Sequence, residues 1–416
     1  MDFQKFFGNS KKLDWFFICI TFSLMLFGVL LVYSATKTNE TANVFQAYWF
    51  KQIIYFSFGS IFAFGLSFVK LSILKKIALP FYLLTLILLV LVLFFAGDVK
   101  GAGRWIDFGV IKLQPSELAK ISYLLMISSW LSKHPVDLLK LKTLIVPGIL
   151  FFVPFLLVLK QPDLSTALVF TMITLVCFFF AKMKLSDVFF LVSPFFSVVL
   201  SHSQITYSQI LWGAFVCFLA FILYKRKLPI AYTIVIFLIN ILAGYAGTMA
   251  WNHLEEHQQK RVETFFNPMA DPKGDGYQVI QSMIAIGSGG IFGKGFQEGS
   301  QTNLSFLPEE HTDFIFSVLG EQFGFIGCIF ILTLYFLFLC RAMSICKSCQ
   351  SPFVILVTAA SSSVFLFHIV VNIAMTIGLM PVTGLPLPFL SYGGSFAVIC
   401  LCLVGLICNM RLHGNK

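Results

Sequence analysis

The sequence predicts an all-α integral membrane protein, a polytopic bundle of transmembrane helices. Three observations support this: 58% of the 416 residues are hydrophobic, only 12% are charged, and long apolar runs recur along the whole chain. Soluble domains carry about 25% charged residues and cannot hide so much apolar surface, whereas a bilayer accepts it. The net charge of +10 is scattered between apolar runs, which is typical of topology signals, so no nucleic-acid partner is expected.

About twelve apolar segments approach the length needed to cross a hydrocarbon core about 30 Å thick, at about 1.5 Å rise per residue. They cover residues 15–34, 47–69, 77–96, 116–131, 143–159, 164–181, 186–201, 206–223, 229–250, 313–340, 352–378 and 388–409. The first follows Lys11 and Lys12 without a small-residue cleavage site, which predicts a retained signal anchor.

The distribution of basic residues predicts how these segments are oriented. If every segment crosses and the N-terminus is cytoplasmic, about 18 of the 29 Lys and Arg residues lie inside. Both termini are therefore predicted to be cytoplasmic, and residues 1–416 are interpreted as a single integral membrane domain. Segments 97–115 and 251–312 are then extracytoplasmic loops, and their length and mixture of charged and aromatic residues indicate a function.

The long outer loop contains a stiff turn around Asp271. Pro268, Pro272, Gly274 and Gly276 favour a tight turn that presents Asp271 just before an amphipathic segment. A carboxylate fixed near the membrane surface could be a general base or a metal ligand, and a solvated turn residue is the plainer interpretation.

A second motif, QPSELAK, begins at Gln114. Pro115 suits the first turn of a helix, and Glu117 and Lys120 then share one face at an i,i+3 spacing. Ionisable residues inside a membrane usually face a cavity or a partner, so the two form either part of a cavity or a mutually neutralising pair. In a third motif, KQPDLS, Asp163 is predicted mainly to cap the following helix.

Three further outer-side motifs precede or enter apolar segments. The glycine-rich run around Lys294 fails the P-loop pattern because Gly295 stands where Ser or Thr is required, although its amides and Lys294 could bind a pyrophosphate. His311 and Asp313, which follow Glu309 and Glu310, form a weak metal-binding pattern. The proline-rich run that contains Ser391 predicts a rigid, non-helical entry into the last segment, and such backbone at membrane depth must be buried or line a cavity.

These motifs together resemble one family. The strings QPSELAK, QPDLSTA, DPKGDGYQVIQS, AIGSGGIFGKG, FLPEEHTDFIFSVLGE and MPVTGLPLPFLSYGGS closely resemble the SEDS proteins (shape, elongation, division and sporulation), more the RodA branch than the FtsW branch. The resemblance covers nearly the whole chain and implies a ten-helix core. An inserted transmembrane hairpin at 186–223 would account for the surplus over ten, and Ser165 departs from the glycine common in the family.

The resemblance implies a peptidoglycan glycosyltransferase of the bacterial cytoplasmic membrane that polymerises lipid II on the extracytoplasmic face during cell elongation. It implies that Asp271 is the catalytic base, that Glu117 and Lys120 line the same cavity, and that a class B penicillin-binding protein and other elongation-machinery proteins are partners.

The reaction sets expectations for the remaining motif residues. A carboxylate base activates the acceptor hydroxyl of the nascent glycan strand, and the displacement inverts the anomeric carbon. The departing pyrophosphate needs cations, for which Arg104, Lys120 and Lys294 are candidates, together with a divalent cation (Mg²⁺ or Mn²⁺) near Asp271 and Glu117. The other residues expected to bind substrate are Gln114, Ser116, Asp163, His311, Asp313 and Ser391.

Two alternatives from other classes remain open. A flippase for lipid-linked precursors would also use broken helices and intramembrane charges, but its site must be reachable from both sides of the membrane. A non-catalytic scaffold for a penicillin-binding protein would tolerate changes at Glu117 and Asp271 without loss of activity.

Overall fold

The protein was examined as a computed structural model, which describes residues 13–36, 44–95, 105–107, 112–137, 140–201, 207–251, 259, 263–266, 275–303, 306 and 308–414. The helices in chain order are α1 Trp15–Thr36, α2 Tyr48–Ser67, α3 Leu71–Phe95, α4 Pro115–Leu131, α5 Leu141–Leu159, α6 Leu164–Phe180, α7 Leu185–Leu200, α8 Ser208–Arg226, α9 Ile230–Trp251, α10 Asp275–Ser288, α11 Ser300–Asn303, α12 Ile315–Ser348, α13 Pro352–Thr376 and α14 Gly394–His413. A short 3-10 helix covers Val44–Gln46. Strands β1 (Ile106–Asp107) and β2 (Lys112–Leu113) form one antiparallel pair. The prediction of an all-α fold is confirmed.

Each of the twelve predicted apolar segments coincides with a helix. Within the described ranges, eight helices are long and apolar enough to cross a membrane, namely α1, α3, α5, α8, α9, α12, α13 and α14. The apolar helices α6 and α7 are shorter, and α2 and α4 occupy the two remaining segments. The orientation of the termini stays a prediction.

One compact unit comprises the described residues within 1–135, 145–181 and 278–416. Helices α13 and α14 form its centre, because 78% of their most apolar stretch is buried, against 28% in α3. Helix α13 packs against α12, α6 and α14, and α14 runs along α2. Helix α1 approaches the segment before α14 closely at Gly28, where a side chain would collide with the carbonyl oxygen of Phe389.

The second compact unit comprises the described residues within 136–144 and 182–277. Helices α7 and α9 pack together, and α8 contacts both. Asn240 donates to Ser193 Oγ at 2.9 Å and accepts from Ser197 Oγ at 3.0 Å, so two apolar helices are joined by satisfied polar groups. Helices α7 and α8 occupy the predicted hairpin at 186–223, and its status as an insertion into a single membrane domain stays a prediction.

Candidate functional site

Helix α4 carries a buried ion pair near its N-terminus. Gln114 is extended and Pro115 opens the helix, which places Glu117 in the first turn, where a carboxylate is favoured. Lys120 Nζ lies 2.8 Å from Glu117 Oε1, and the two residues are 0% and 4% exposed. Among the described residues, Glu117 Oε2 has no hydrogen-bond partner. The pair is neutral as a unit, and one carboxylate oxygen is buried without a hydrogen-bond partner among the described residues.

His368 on α13 extends this pair, although it is not among the residues that the motifs predict for the site. Its Nε2 lies 3.4 Å from Lys120 Nζ and its Nδ1 lies 3.1 Å from Pro386 O. The ring is fully buried and packs at 4.8 Å from the ring of Phe396, which also lies beneath Lys120. The signal that could have found His368 is a titratable residue within an apolar segment, and such residues are costly in a membrane.

Residues 381–393 form the non-helical entry to α14 that the prolines predict. Leu385, Leu387, Phe389 and Leu390 are buried, so the backbone of this proline-rich segment lies within the protein. Its carbonyl oxygens accept hydrogen bonds from His368, Asn372, Tyr335 and Gln52. Ser391 Oγ accepts from Leu387 N at 2.8 Å, which closes a turn within the segment. The prediction of a non-helical, buried entry is confirmed.

Asp163 caps α6, as predicted. Its Oδ1 accepts from Thr166 N at 3.0 Å, and its Oδ2 accepts from Gln114 Nε2 at 3.3 Å. Gln114 and Asp163 are therefore brought together at the N-termini of α4 and α6. Ser116 is also buried there, and its hydroxyl has no partner among the described residues.

Lys294 lies in a turn that is hydrogen-bonded to α12 and is not part of an open loop. Gly293 and Gly295 have φ of 79° and 112°, values that favour glycine. The backbone N–H of Lys294 donates a hydrogen bond to Glu321 O at 3.0 Å. Lys294 Nζ lies 2.8 Å from the carboxylate of Glu321, which also accepts from Gln301 N and Thr302 Oγ1. The charge of Lys294 is therefore compensated by a carboxylate on α12.

His311 and Asp313 lie in the turn before α12. The ring of His311 is 4.7 Å from that of Tyr48, and its carbonyl oxygen accepts from Tyr392 N at 2.9 Å. The carbonyl oxygen of Asp313 accepts from Asn372 Nδ2 at 2.9 Å. Glu310, from the same predicted motif, is buried, and burial followed by repulsion from Glu321 raises its pKa to about 8.

Arg104 and Asp271 lie outside the described residues, so their placement relative to Glu117 is not part of this geometry. Within the described ranges, no three or more His, Cys, Asp or Glu side chains cluster in a way that could hold a metal ion. The site therefore consists of the ion pair on α4, His368 and the buried proline-rich segment.

Comparison with known proteins identifies the family. The family model FTSW_RODA_SPOVE, described as "Cell cycle protein", matches residues 14–212 and 195–416. "Peptidoglycan glycosyltransferase RodA" of Treponema pallidum is 32% identical, with 96% of this chain and 97% of the relative covered. "Probable peptidoglycan glycosyltransferase FtsW" of Trichlorobacter lovleyi is 34% identical over 95% of this chain and 92% of that protein.

A solved structure supports the same assignment. A chain from the work "Structural coordination of polymerization and crosslinking by a peptidoglycan synthase complex" is 30% identical and superposes with a TM-score of 0.70, covering 96% of this chain and 97% of that one. Motifs, fold and similarity thus agree over nearly the whole length, and the chain belongs to the FTSW_RODA_SPOVE family, the SEDS proteins.

Proposed function

We propose that this protein is a peptidoglycan glycosyltransferase that polymerises lipid II into glycan strands during cell elongation. The observation that carries the proposal is the buried Glu117–Lys120 pair with one unpaired carboxylate oxygen, in a chain whose relatives are named peptidoglycan glycosyltransferases. A polar constellation at this depth is costly and is usually retained for function.

In the proposed reaction, an acceptor hydroxyl attacks the anomeric carbon of a donor sugar linked to lipid pyrophosphate. The new C–O bond forms as the bond to the pyrophosphate oxygen breaks, and the hydroxyl proton passes to Asp271. A positioned base of this kind contributes typically about 10²- to 10⁴-fold. Attack opposite the leaving group inverts the anomeric configuration, and Glu117 Oε2 accepts a hydrogen bond from the substrate or holds a cation.

The leaving pyrophosphate requires positive charge. Arg104 and Lys120 are the first candidates, and Lys294 would have to leave its ion pair with Glu321 to contact a phosphate. A divalent cation, Mg²⁺ or Mn²⁺, is part of the proposal, because Glu117 Oε2 is a buried and unpaired oxygen ligand and Asp271 would supply a second. Such an ion, when bound, neutralises charge on the pyrophosphate.

The polytopic helical structure makes this a multi-pass membrane protein. We propose the bacterial cytoplasmic membrane as its location and the extracytoplasmic face as the side of the site, based on the distribution of basic residues. We propose a class B penicillin-binding protein as its partner, since a similar solved chain comes from a complex that coordinates polymerisation with crosslinking. Other elongation-machinery proteins would join this assembly.

The test is polymerisation of lipid II by the purified protein, alone and with its partner, with glycan chains resolved by gel. Wild type is compared with Asp271→Asn, which keeps the size of the side chain and removes the base. Glu298→Gln is the matched control, since Glu298 is an exposed carboxylate of the same outer region.

The proposal would be supported if wild type and Glu298→Gln make glycan chains and Asp271→Asn loses about 10²-fold or more of the polymerisation activity. Equal product from all three proteins would remove Asp271 from the chemistry. Translocation of lipid II without any glycan product would favour a flippase instead.

A further inference from the structure

The hydrogen bonds of His368 fix which of its ring nitrogens carries the proton. A carbonyl oxygen can only accept, so the Nδ1 that lies 3.1 Å from Pro386 O carries the hydrogen. The Nε2 that faces Lys120 at 3.4 Å is then a lone-pair acceptor, which suits an ammonium donor. A neutral ring is also what the adjacent positive charge requires.

A series of hydrogen bonds connects the backbone of the proline-rich segment to the carboxylate of Glu117. Pro386 O accepts from His368, His368 accepts from Lys120, and Lys120 donates to Glu117 Oε1. Because Oε1 is engaged at 2.8 Å, the other oxygen of Glu117 is left without a partner among the described residues. The orientation of that free oxygen therefore depends on where Lys120 is held.

We propose that His368 is a positioning residue for the glycosyl transfer reaction, holding Lys120 so that Glu117 presents its second oxygen to the substrate. This inference rests on the proposed function. In this proposal His368 acts on the reaction through Lys120, to which its Nε2 is turned, and not on the substrate itself. It also links the position of Lys120 to the proline-rich segment 381–393.

The polar contacts of the ring go beyond what packing requires. An apolar residue of the same size would still fill the space beside Phe396. It would, however, leave Pro386 O without this donor and would remove one acceptor from a lysine that is 0% exposed. Without that acceptor the carboxylate of Glu117 is the remaining described hydrogen-bond partner of Lys120, and we expect the ammonium and the Glu117 side chain to shift as a result.

The experiment measures kcat and KM for lipid II polymerisation with wild type, His368→Phe and His368→Gln, together with the melting temperature of each protein. Glutamine retains an acceptor and a donor, whereas phenylalanine retains only the volume. Val370→Ala is the control, since Val370 is an exposed residue of the same helix. If the phenylalanine variant is not recovered folded, His368→Met takes its place.

A positioning role predicts that His368→Phe lowers kcat about 10- to 100-fold, as expected for a lost hydrogen bond to a charged group, with KM changed less than about twofold. His368→Gln should recover most of this loss. Wild-type kcat in a folded His368→Phe protein, or equal losses in both variants, would overturn the role of His368 alone. A wild-type protein without polymerase activity would overturn the proposed function as well.

Discussion

Replacing Glu310 by glutamine is expected to stabilise the protein at alkaline pH and to leave its stability nearly unchanged near pH 5. Glu310 is 5% exposed, and burial followed by repulsion from Glu321 raises its pKa from 4.5 to about 8. A carboxyl group with a raised pKa binds its proton more tightly in the folded protein than in the unfolded chain. The contribution of protonated Glu310 to stability is complete below about pH 4.5. It decreases as the pH rises from about 4.5 to about 8, and it is lost above about pH 8.

The size of the effect follows from the pKa difference. The difference of 8 − 4.5 = 3.5 units corresponds to about 5 kcal/mol at about 1.4 kcal/mol per unit. Solvent near this turn screens part of the interaction, so about 5 kcal/mol is the upper limit of the expected difference. Glutamine stays neutral at every pH and has nearly the same size, so the glutamine variant should lack this decrease in stability.

The measurement is the apparent melting temperature of the purified protein in detergent between about pH 5 and about pH 9, followed by tryptophan fluorescence at one scan rate. The difference between the variant and wild type isolates Glu310 from other titrating groups. Glu309→Gln is the matched control, since Glu309 is the exposed neighbour. Parallel curves for wild type and Glu310→Gln would refute the reasoning.

Two further predictions concern the ion pairs of Lys120 and Lys294. Lys120→Met leaves the Glu117 charge buried and unpaired and should cost about 3–5 kcal/mol, most of which the double variant with Glu117→Gln should recover in thermal unfolding. A double variant as unstable as the single one would count against this pairing. Glu321→Gln removes the charged acceptor of Lys294 and should speed tryptic cleavage after Lys294, relative to wild type and to Glu298→Gln. Unchanged cleavage rates would show that the ion pair does not hold the turn.

The sequence predicted those features of the site that lie within one helix. Glu117 and Lys120 are three residues apart on α4, so helix geometry alone brings them together. Asp163 was likewise predicted to cap α6, because a cap depends on neighbouring residues. His368 meets Lys120 from 248 residues away, and no local pattern encodes that contact.

Three helices begin or end at residues other than the limits of the predicted apolar segments. An apolar residue is not always helical, and a helix can include charged residues. The last segment was predicted from 388, but α14 begins at Gly394, because Phe389 has a left-handed backbone (φ 67°) although it is apolar and buried. Helix α3 begins at Leu71 rather than 77, since Lys75 is accommodated with its ammonium over the ring of Phe353. The tenth segment, predicted as 313–340, extends to Ser348 as α12, past Arg341, which is paired with Asp14.

The proline-rich segment accounts for two buried polar side chains of α13, His368 and Asn372. Its non-helical backbone leaves carbonyl oxygens that no helix satisfies, and each would cost several kcal/mol at membrane depth. The side-chain amide nitrogen of Asn372 donates to both Leu385 O and Asp313 O, so this residue links two backbone carbonyl groups. His368 differs, because its second nitrogen meets the charge of Lys120. A displacement of Pro386 would therefore be transmitted to Lys120 and then to Glu117, whereas a displacement at Leu385 would reach the turn before α12.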